Sequence, residues 1–260
     1  MMGGKATATP WRWTALLLAV ALGGMALAWV TLGLPYWSIH TDNNPWTIDG
    51  REYHFQATDL FLPGPDYRTV CSVNDSSMPG WGPICTATGS AGFTGPYSDP
   101  LGPETHIQVL AQTLSFLILA IGTVSAAAIA AAVVRAIAPW DRSDGSRRRL
   151  GLVVSALLLA AGLLAVSTAL YVMVEQPLAF NADSAKLGRF PGCGNTFWGS
   201  CAMNVGNSTN GVNSTETWGP ATGWYLLLIS GGLMLGAVGL SLRVWRRVDN
   251  QHTMSEPRLA

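Results

Sequence analysis

Residues 13–37 read WTALLLAVALGGMALAWVTLGLPYW. The first 22 of them, Trp13 to Leu34, contain no Asp, Glu, Lys, Arg or His. At about 1.5 Å of rise per residue a helix of that length spans the ~30 Å hydrocarbon core of a bilayer. Lys5 and Arg12 precede the run, as they would a secretory signal, but its apolar stretch exceeds the roughly 7–15 residues of such signals, so an uncleaved helix is expected. Three further charge-free runs follow: Ile107 to Val134 (28 residues), Leu150 to Val174 (25) and Trp224 to Leu242 (19). Helices of a soluble core rarely run so long without charge, and four in one chain point to four membrane crossings.

Composition agrees. Charged residues are 12% of the 260 and hydrophobic ones 49%, against the roughly 25% charge of an ordinary soluble domain. The 15 basic and 15 acidic side chains cancel, so net charge gives no reason to expect a nucleic acid partner.

The distribution of charge orients the chain. Lys5, Arg12, Arg135, Arg142, Arg147, Arg148, Arg149, Arg243, Arg246, Arg247 and Arg258 lie in the N-terminus, the middle loop and the C-terminus, while only Arg51, Arg68, Lys186 and Arg189 lie in the other two loops, with 11 of the 15 acidic residues. That 11-to-4 split follows the positive-inside rule and puts both termini in the cytoplasm. The expected order is a cytoplasmic N-terminus (1–12), spans at 13–34, 107–134, 150–174 and 224–242, outer loops at 35–106 and 175–223, a cytoplasmic loop at 135–149 and a tail at 243–260. Arg147, Arg148 and Arg149 are expected to anchor to anionic headgroups. The bilayer itself is thus the first expected partner, at the plasma membrane.

The outer loops hold 121 residues and all four cysteines, Cys71 and Cys85 in the first, Cys193 and Cys201 in the second. A thin exposed layer that cannot build a deep core is stabilised by disulfides in an oxidising compartment. Of the three pairings, Cys71 with Cys85 and Cys193 with Cys201 close short loops and are expected. Trp46–Ile48 and Tyr67–Cys71 read as short strands between Pro-Gly turns, giving a small antiparallel sheet. The fold class is therefore all-α membrane, a left-handed four-helix bundle with a small disulfide-held β layer. Sequons at Asn74, Asn207 and Asn213 fall in the same loops and would be glycosylated on a eukaryotic secretory route.

Chemistry is harder to find. The spans hold none of the ionisable residues that proton relays and ion-coupled transporters keep in the bilayer. Gln108 and Gln112 are expected to bond to a neighbouring helix. His40, His54, His106 and His252 have no metal-ligand spacing, and there is no phosphate loop or nucleophile elbow. No cofactor, metal or catalytic residue is expected. A quinone-linked thiol oxidase is the enzyme class to weigh, but it would carry a Cys-x-x-Cys, and the separations here are 14 and 8; structural disulfides fit better. Gly232 and Gly236, Gly151 and Ser155, and Ser125 to Ala128 form small-residue faces that let helices approach closely; packing within the chain is expected, lateral self-association the alternative.

The layout resembles the claudin and peripheral-myelin-protein superfamily of four-pass proteins. Leu34-Pro35-Tyr36-Trp37 is similar to its Pro-aromatic-Trp element outside helix one, and the Cys71 and Cys85 pair to that of its first outer loop. Ala161-Gly162-Leu163-Leu164 leading to Ala169-Leu170-Tyr171, and Gly219-Pro220-Ala221-Thr222-Gly223-Trp224 before helix four, extend the likeness. The Gly-Leu-Trp before the first loop cysteine of claudins is absent, Gly80-Trp81-Gly82 lying between the cysteines instead, and the second loop has its own cysteine pair. Arg258-Leu259-Ala260 is not a claudin-type scaffold-binding terminus. Amastins are a second family of similar layout; tetraspanins lack the match, since their larger loop is the second. The resemblance implies a non-enzymatic surface protein making junction-type or adhesive contacts with membrane proteins in cis or trans, homo-oligomers included. The alternative is an accessory subunit bound laterally to a channel or receptor. Trp46, Trp81, Trp198 and Trp218 lie in the loops away from the expected interface and are the candidate binding residues, with filling of the outer layer as their ordinary role.

Overall fold

The computed structural model describes residues 10–48, 51–73, 91–96, 105–137, 144–183, 193–205 and 212–255. Four long helices carry the charge-free runs: α1 (Pro10–Val30), α2 (His106–Ile137), α3 (Asp144–Asp183) and α4 (Thr222–Ser255). Each has a stretch long and apolar enough to cross a membrane, Trp11–Gly33, His106–Ile137, Arg148–Asp183 and Thr222–Val244. The last two helices overrun their expected bounds. α3 continues nine residues past Val174 and α4 thirteen past Leu242, because Glu175, Gln176, Arg243, Arg246 and Arg247 are good helix formers and polarity alone does not end a helix. α1 ends where the proline dictates. After a 3-10 turn (Thr31–Gly33), Leu34 is extended at φ −117°, ψ 144°, the conformation that a following Pro35 imposes.

The backbone divides into two compact units, one of residues 1–29, 117–167 and 227–260, the other of residues 30–116 and 168–226. The first is helical. Leu17 and Ala21 of α1, Ala128 and Ala132 of α2, Val154, Leu158 and Ala161 of α3, and Met234 and Ala237 of α4 form its core. Small residues set its spacing. A Cβ on Gly162 would stand 2.8 Å from Leu235 and 3.2 Å from the Gly231 carbonyl, and one on Gly231 2.9 Å from Val166. Buried hydroxyls bond within the unit: Ser230 donates to the Gly24 carbonyl (2.7 Å), Ser155 to Ser241 (2.9 Å) and Ser125 to the Ile121 carbonyl (2.6 Å). The packing expected at Gly232 and Gly236 falls elsewhere: both have open space around them, and the close approach lies at Gly162 and Gly231. A one-residue step along a helix turns the side chain by about 100°, so Gly231 faces α3 while Gly232 faces away.

The second unit holds a six-stranded antiparallel sheet and the adjoining ends of the helices. Its strands are β1 (Trp37–Ile48), β2 (Arg51–Phe61), β3 (Asp66–Val73), β4 (Ala91–Pro96), β5 (Gly199–Val205) and β6 (Val212–Pro220), in the order β4-β3-β2-β1-β6-β5. The expected strands at Trp46–Ile48 and Tyr67–Cys71 are parts of β1 and β3. The sheet contains both interhelical segments: β1 pairs with β6, Trp37 opposite Pro220 and Ile39 opposite Trp218. Alternation sorts its faces. Trp37, Ile39, Phe55, Phe61, Thr69, Cys71, Ser214 and Glu216 share one face by register and are buried. The opposite face carries His40, Asp42, His54 and Thr58, where His40 Nδ1 lies 2.9 Å from the Thr58 hydroxyl and His54 Nε2 2.7 Å from Asp42.

Candidate binding surface

Trp37 organises the second unit. It is fully buried, its ring packs 5.2 Å from Phe61 of β2 and 5.4 Å from Phe180 of α3, and its indole N–H donates to the Phe197 carbonyl at 2.8 Å. One side chain thus joins a strand, a helix and the segment leading into β5. Gly194 makes that segment's approach possible. Its φ is +87°, a region open to glycine, and a Cβ there would collide with the Phe180 ring.

The helix ends are fixed by a carboxylate. Asp183, the last residue of α3, is buried and accepts from the Ile107 N–H at 2.9 Å, with His106 Nδ1 at 3.2 Å. It meets the unsatisfied donors and positive dipole end of α2 from outside the helix. Thr105 adds the N-cap, accepting from the Gln108 N–H at 3.2 Å. Among the described residues the Gln108 carbonyl oxygen, expected to bond to a neighbouring helix, is buried without a partner, and Gln112 is exposed. Gln176, fully buried, also has no partner for either amide atom among the described residues, and a buried amide left so costs ~1–3 kcal/mol.

Cys193 and Cys201 are joined, with Cα atoms 5.9 Å apart, which ties the strand β5 to the turn before it. Cys71 is buried in β3 and disulfide-bonded; Cys85 lies outside the described residues. The Glu216 carboxylate, opposite Cys201 in the β5–β6 register, lies within 4.8 Å of both bonded sulfurs. These three residues are the group closest to a metal-ligand set among the described residues, but the disulfide leaves neither sulfur as a thiolate, the form that binds metal.

The candidate tryptophans separate into different environments. Trp198 is 55% exposed, edge-on to Phe197 at 5.7 Å. Trp218 is half-buried, donates to the Thr196 carbonyl at 2.8 Å and covers Gly199, so it fills the layer rather than presenting a free ring. Trp46 is in β1, paired through its backbone with Tyr53 beyond a bulge at Asn43, and its side chain is outside the described residues, as are Trp81, Asn74 and Asn207. Asn213, expected in a loop, is in β6 opposite Asn204. The Val212, Thr215 and Thr217 around it favour a strand over a turn. Sequence reasoning missed Trp198's setting: with Asn195, Thr196 and Phe197 it faces Met173, Val174, Pro177 and Leu178 of α3 across a cleft of about 420 Å³. Pro177 inside an otherwise unbroken helix was the available signal.

No protein-family model matches this chain, and no curated protein is similar to it at a significant level.

Proposed function

We propose that the chain is a non-enzymatic, claudin-like four-pass protein of the plasma membrane, with both termini cytoplasmic, and that its outer layer makes adhesive or junction-type contacts with other membrane proteins in cis or trans. The observation that carries this reading is the β1–β6 ladder. It builds the segments between α1 and α2 and between α3 and α4 into one sheet, held by the Cys193–Cys201 bond and by Trp37. Connectors need no such order; a rigid surface lowers the entropy lost when a partner docks. The polar face of the sheet with its His40–Thr58 and Asp42–His54 pairs, and the exposed ring of Trp198, are the surfaces offered. Four apolar helices suit membrane insertion, and the positive-inside split sets its direction. The layer is a glycoprotein surface in this reading, through Asn74, Asn207 and Asn213.

The test is cell mixing with the full-length tagged chain. Terminal tags should be reached by antibody only after permeabilisation, and the protein should gather where expressing cells touch. Uniform surface distribution, with no slower separation of expressing pairs, would refute the adhesive role.

One observation favours a second reading, lateral binding to a channel or receptor. Gly232, Gly236 and Gly239 form an open row on α4 with nothing within 4 Å, a surface on which another helix can approach closely. Gly236→Leu would then abolish co-purification of a membrane partner while leaving cell contacts unchanged.

A further inference from the structure

Cys193, Cys201 and Glu216 meet on the buried face of the sheet unit from three places in the chain. Cys201 in β5 stands opposite Glu216 in β6, and residues opposite each other in a ladder share a face. Cys193 reaches them from the turn before β5. The two sulfurs and a carboxylate oxygen of Glu216 all lie within 4.8 Å of one another. Glu216 and Cys193 are buried, while Cys201 is half-buried and gives solvent a side of approach.

With the bond closed the sulfurs are not ligands, but a disulfide is made from two thiols, so the chain passes through a state in which Cys193 and Cys201 are both reduced. The turn between them has other ties. Trp37 donates to the Phe197 carbonyl and Trp218 to the Thr196 carbonyl, each at 2.8 Å, and the Thr196 hydroxyl donates to the Trp198 carbonyl at 2.7 Å. Gly194, at φ +87°, lies so close to the Phe180 ring that a Cβ would collide with it. These contacts hold the turn beside β5 and β6 when the sulfurs part. The two thiols and the carboxylate are then a set already in place, which lowers the ordering cost of binding an ion.

Geometry and charge select the ion. Tetrahedral zinc holds thiolates at ~2.3 Å and carboxylate oxygens at ~2.0–2.2 Å, which separates its ligand atoms by roughly 3.4–3.8 Å. Turning each cysteine side chain about its Cα–Cβ bond takes the sulfurs from bonding distance toward that spacing. Calcium and magnesium take oxygen ligands instead. Two thiolates and one carboxylate fill three positions and leave the fourth to water. With Glu216 ionised, the disulfide form carries the single negative charge of the carboxylate, and a divalent ion with two thiolates and that carboxylate carries the same. The exchange therefore adds no net charge to a buried place.

We propose that the reduced Cys193 and Cys201 bind a zinc ion through both thiolates and the Glu216 carboxylate, so that metal and disulfide are alternative clips for one turn. Binding releases a proton from each thiol. A disulfide-bearing oxidant reverses it: the Cys193–Cys201 bond forms, zinc leaves, and the oxidant's own S–S bond takes up the two electrons and two protons to become two thiols. The site goes beyond the adhesive reading and does not rest on it.

Full-length protein in detergent micelles is reduced with a trialkylphosphine, which becomes the phosphine oxide with oxygen from water as each disulfide becomes two thiols. After the phosphine is removed under argon, zinc is titrated against a coloured chelator, with cobalt as the spectroscopic stand-in. The reduced chain should take up zinc and show a thiolate-to-cobalt charge-transfer band; the oxidised chain should do neither. Zinc should also restore hydrogen-exchange protection to β5 and β6. Glu216→Gln should weaken zinc at least ~10-fold, with Cys193–Cys201 re-forming on oxidation as the check on folding. If that bond does not re-form, Glu216→Asp, which keeps the carboxylate, must bind more tightly than Glu216→Gln for the site to stand. Unchanged affinity in Glu216→Gln would overturn the carboxylate ligand. Binding retained when Cys193 and Cys201 are both changed to Ser would place the metal on Cys71 and Cys85 instead, and equal uptake by the unreduced chain would remove the thiolates. Protection lost from β5 and β6 on adding zinc would mean that the metal binds an unfolded turn, which also overturns the proposal.

Discussion

The two units solve the same problem, burying a chain of modest polarity, by different means. In the helical unit the buried side chains are small or aliphatic, Ala21, Ala128, Ala161 and Ala237 among them, and the buried polar groups are hydroxyls that bond to nearby carbonyls or to each other. Stability there comes from close approach, which is what holds helices together when the surroundings are as apolar as the core. The sheet unit buries Trp37, Phe61, Phe180 and Phe197 together with Asp183, Glu216 and Gln176. It is organised like a small soluble core, in which large rings supply area and each buried acid needs partners. One unit packs by close approach of small residues and the other around large rings, and substitutions should cost accordingly.

The largest loss is expected at the centre of the sheet unit. Trp37→Ala empties the site between Phe61 and Phe180 and strands the Phe197 carbonyl, a loss of ~3–5 kcal/mol for a buried tryptophan. Measured by thermal unfolding in detergent, Trp37→Phe should recover most of the packing and leave only the ~1 kcal/mol hydrogen bond missing. If both variants lose the same amount, the bond rather than the ring is the tie.

Replacing Cys193 and Cys201 together by Ser comes next. Closing a loop of about eight residues is worth ~2.5 kcal/mol by chain entropy. Hydrogen exchange should show the loss in β5 and β6 and leave the helical unit's protection unchanged; equal loss in both units would erase the distinction drawn between them.

The helical unit is broken by bulk rather than by emptiness. Gly162→Leu drives a side chain into Leu235 and the Gly231 carbonyl and should cost roughly 2 kcal/mol, whereas Gly232→Leu, facing open space, should stay within ~0.5 kcal/mol. Unfolding titrations in mixed micelles separate the two. Similar losses would place Gly232 in a contact that the isolated chain does not show.

How much of this was legible from residues alone depends on the range of the interaction. The four helices were, because a charge-free run is a property of consecutive residues. The break at Leu34 was too, since Pro35 acts on its own neighbour. The Cys193–Cys201 pair followed from spacing. The β1–β6 ladder did not: Trp37 and Pro220 are far apart in sequence, and no local pattern states which strand of one segment meets which strand of another. On α4 the close approach was missed by a single residue, because a row of glycines at 231, 232, 236 and 239 does not say which one faces α3. Trp218 was grouped with Trp198 as a candidate binding residue, yet composition could not show that its N–H is spent on Thr196.

That last pair gives the smallest effect on stability and the sharpest test of the surface. Trp198 and Trp218 lie close in the same hairpin, one ring 55% exposed and the other half-buried and hydrogen-bonded. Trp218→Ala uncovers Gly199 and leaves the Thr196 carbonyl without its donor, so it should lower the unfolding temperature measurably. Trp198→Ala removes mostly surface, and its unfolding should stay within ~0.5 kcal/mol of the unchanged chain. Function should order the two the other way. An exposed tryptophan at the rim of an apolar cleft is the kind of residue that dominates binding, so Trp198→Ala should cut partner capture by roughly tenfold, about 1.4 kcal/mol. Comparing unfolding temperature and partner capture for both variants on one preparation checks this. If Trp198→Ala destabilises the fold as much as Trp218→Ala does, its ring belongs to the core of the hairpin, and the sheet unit presents no aromatic anchor at this rim.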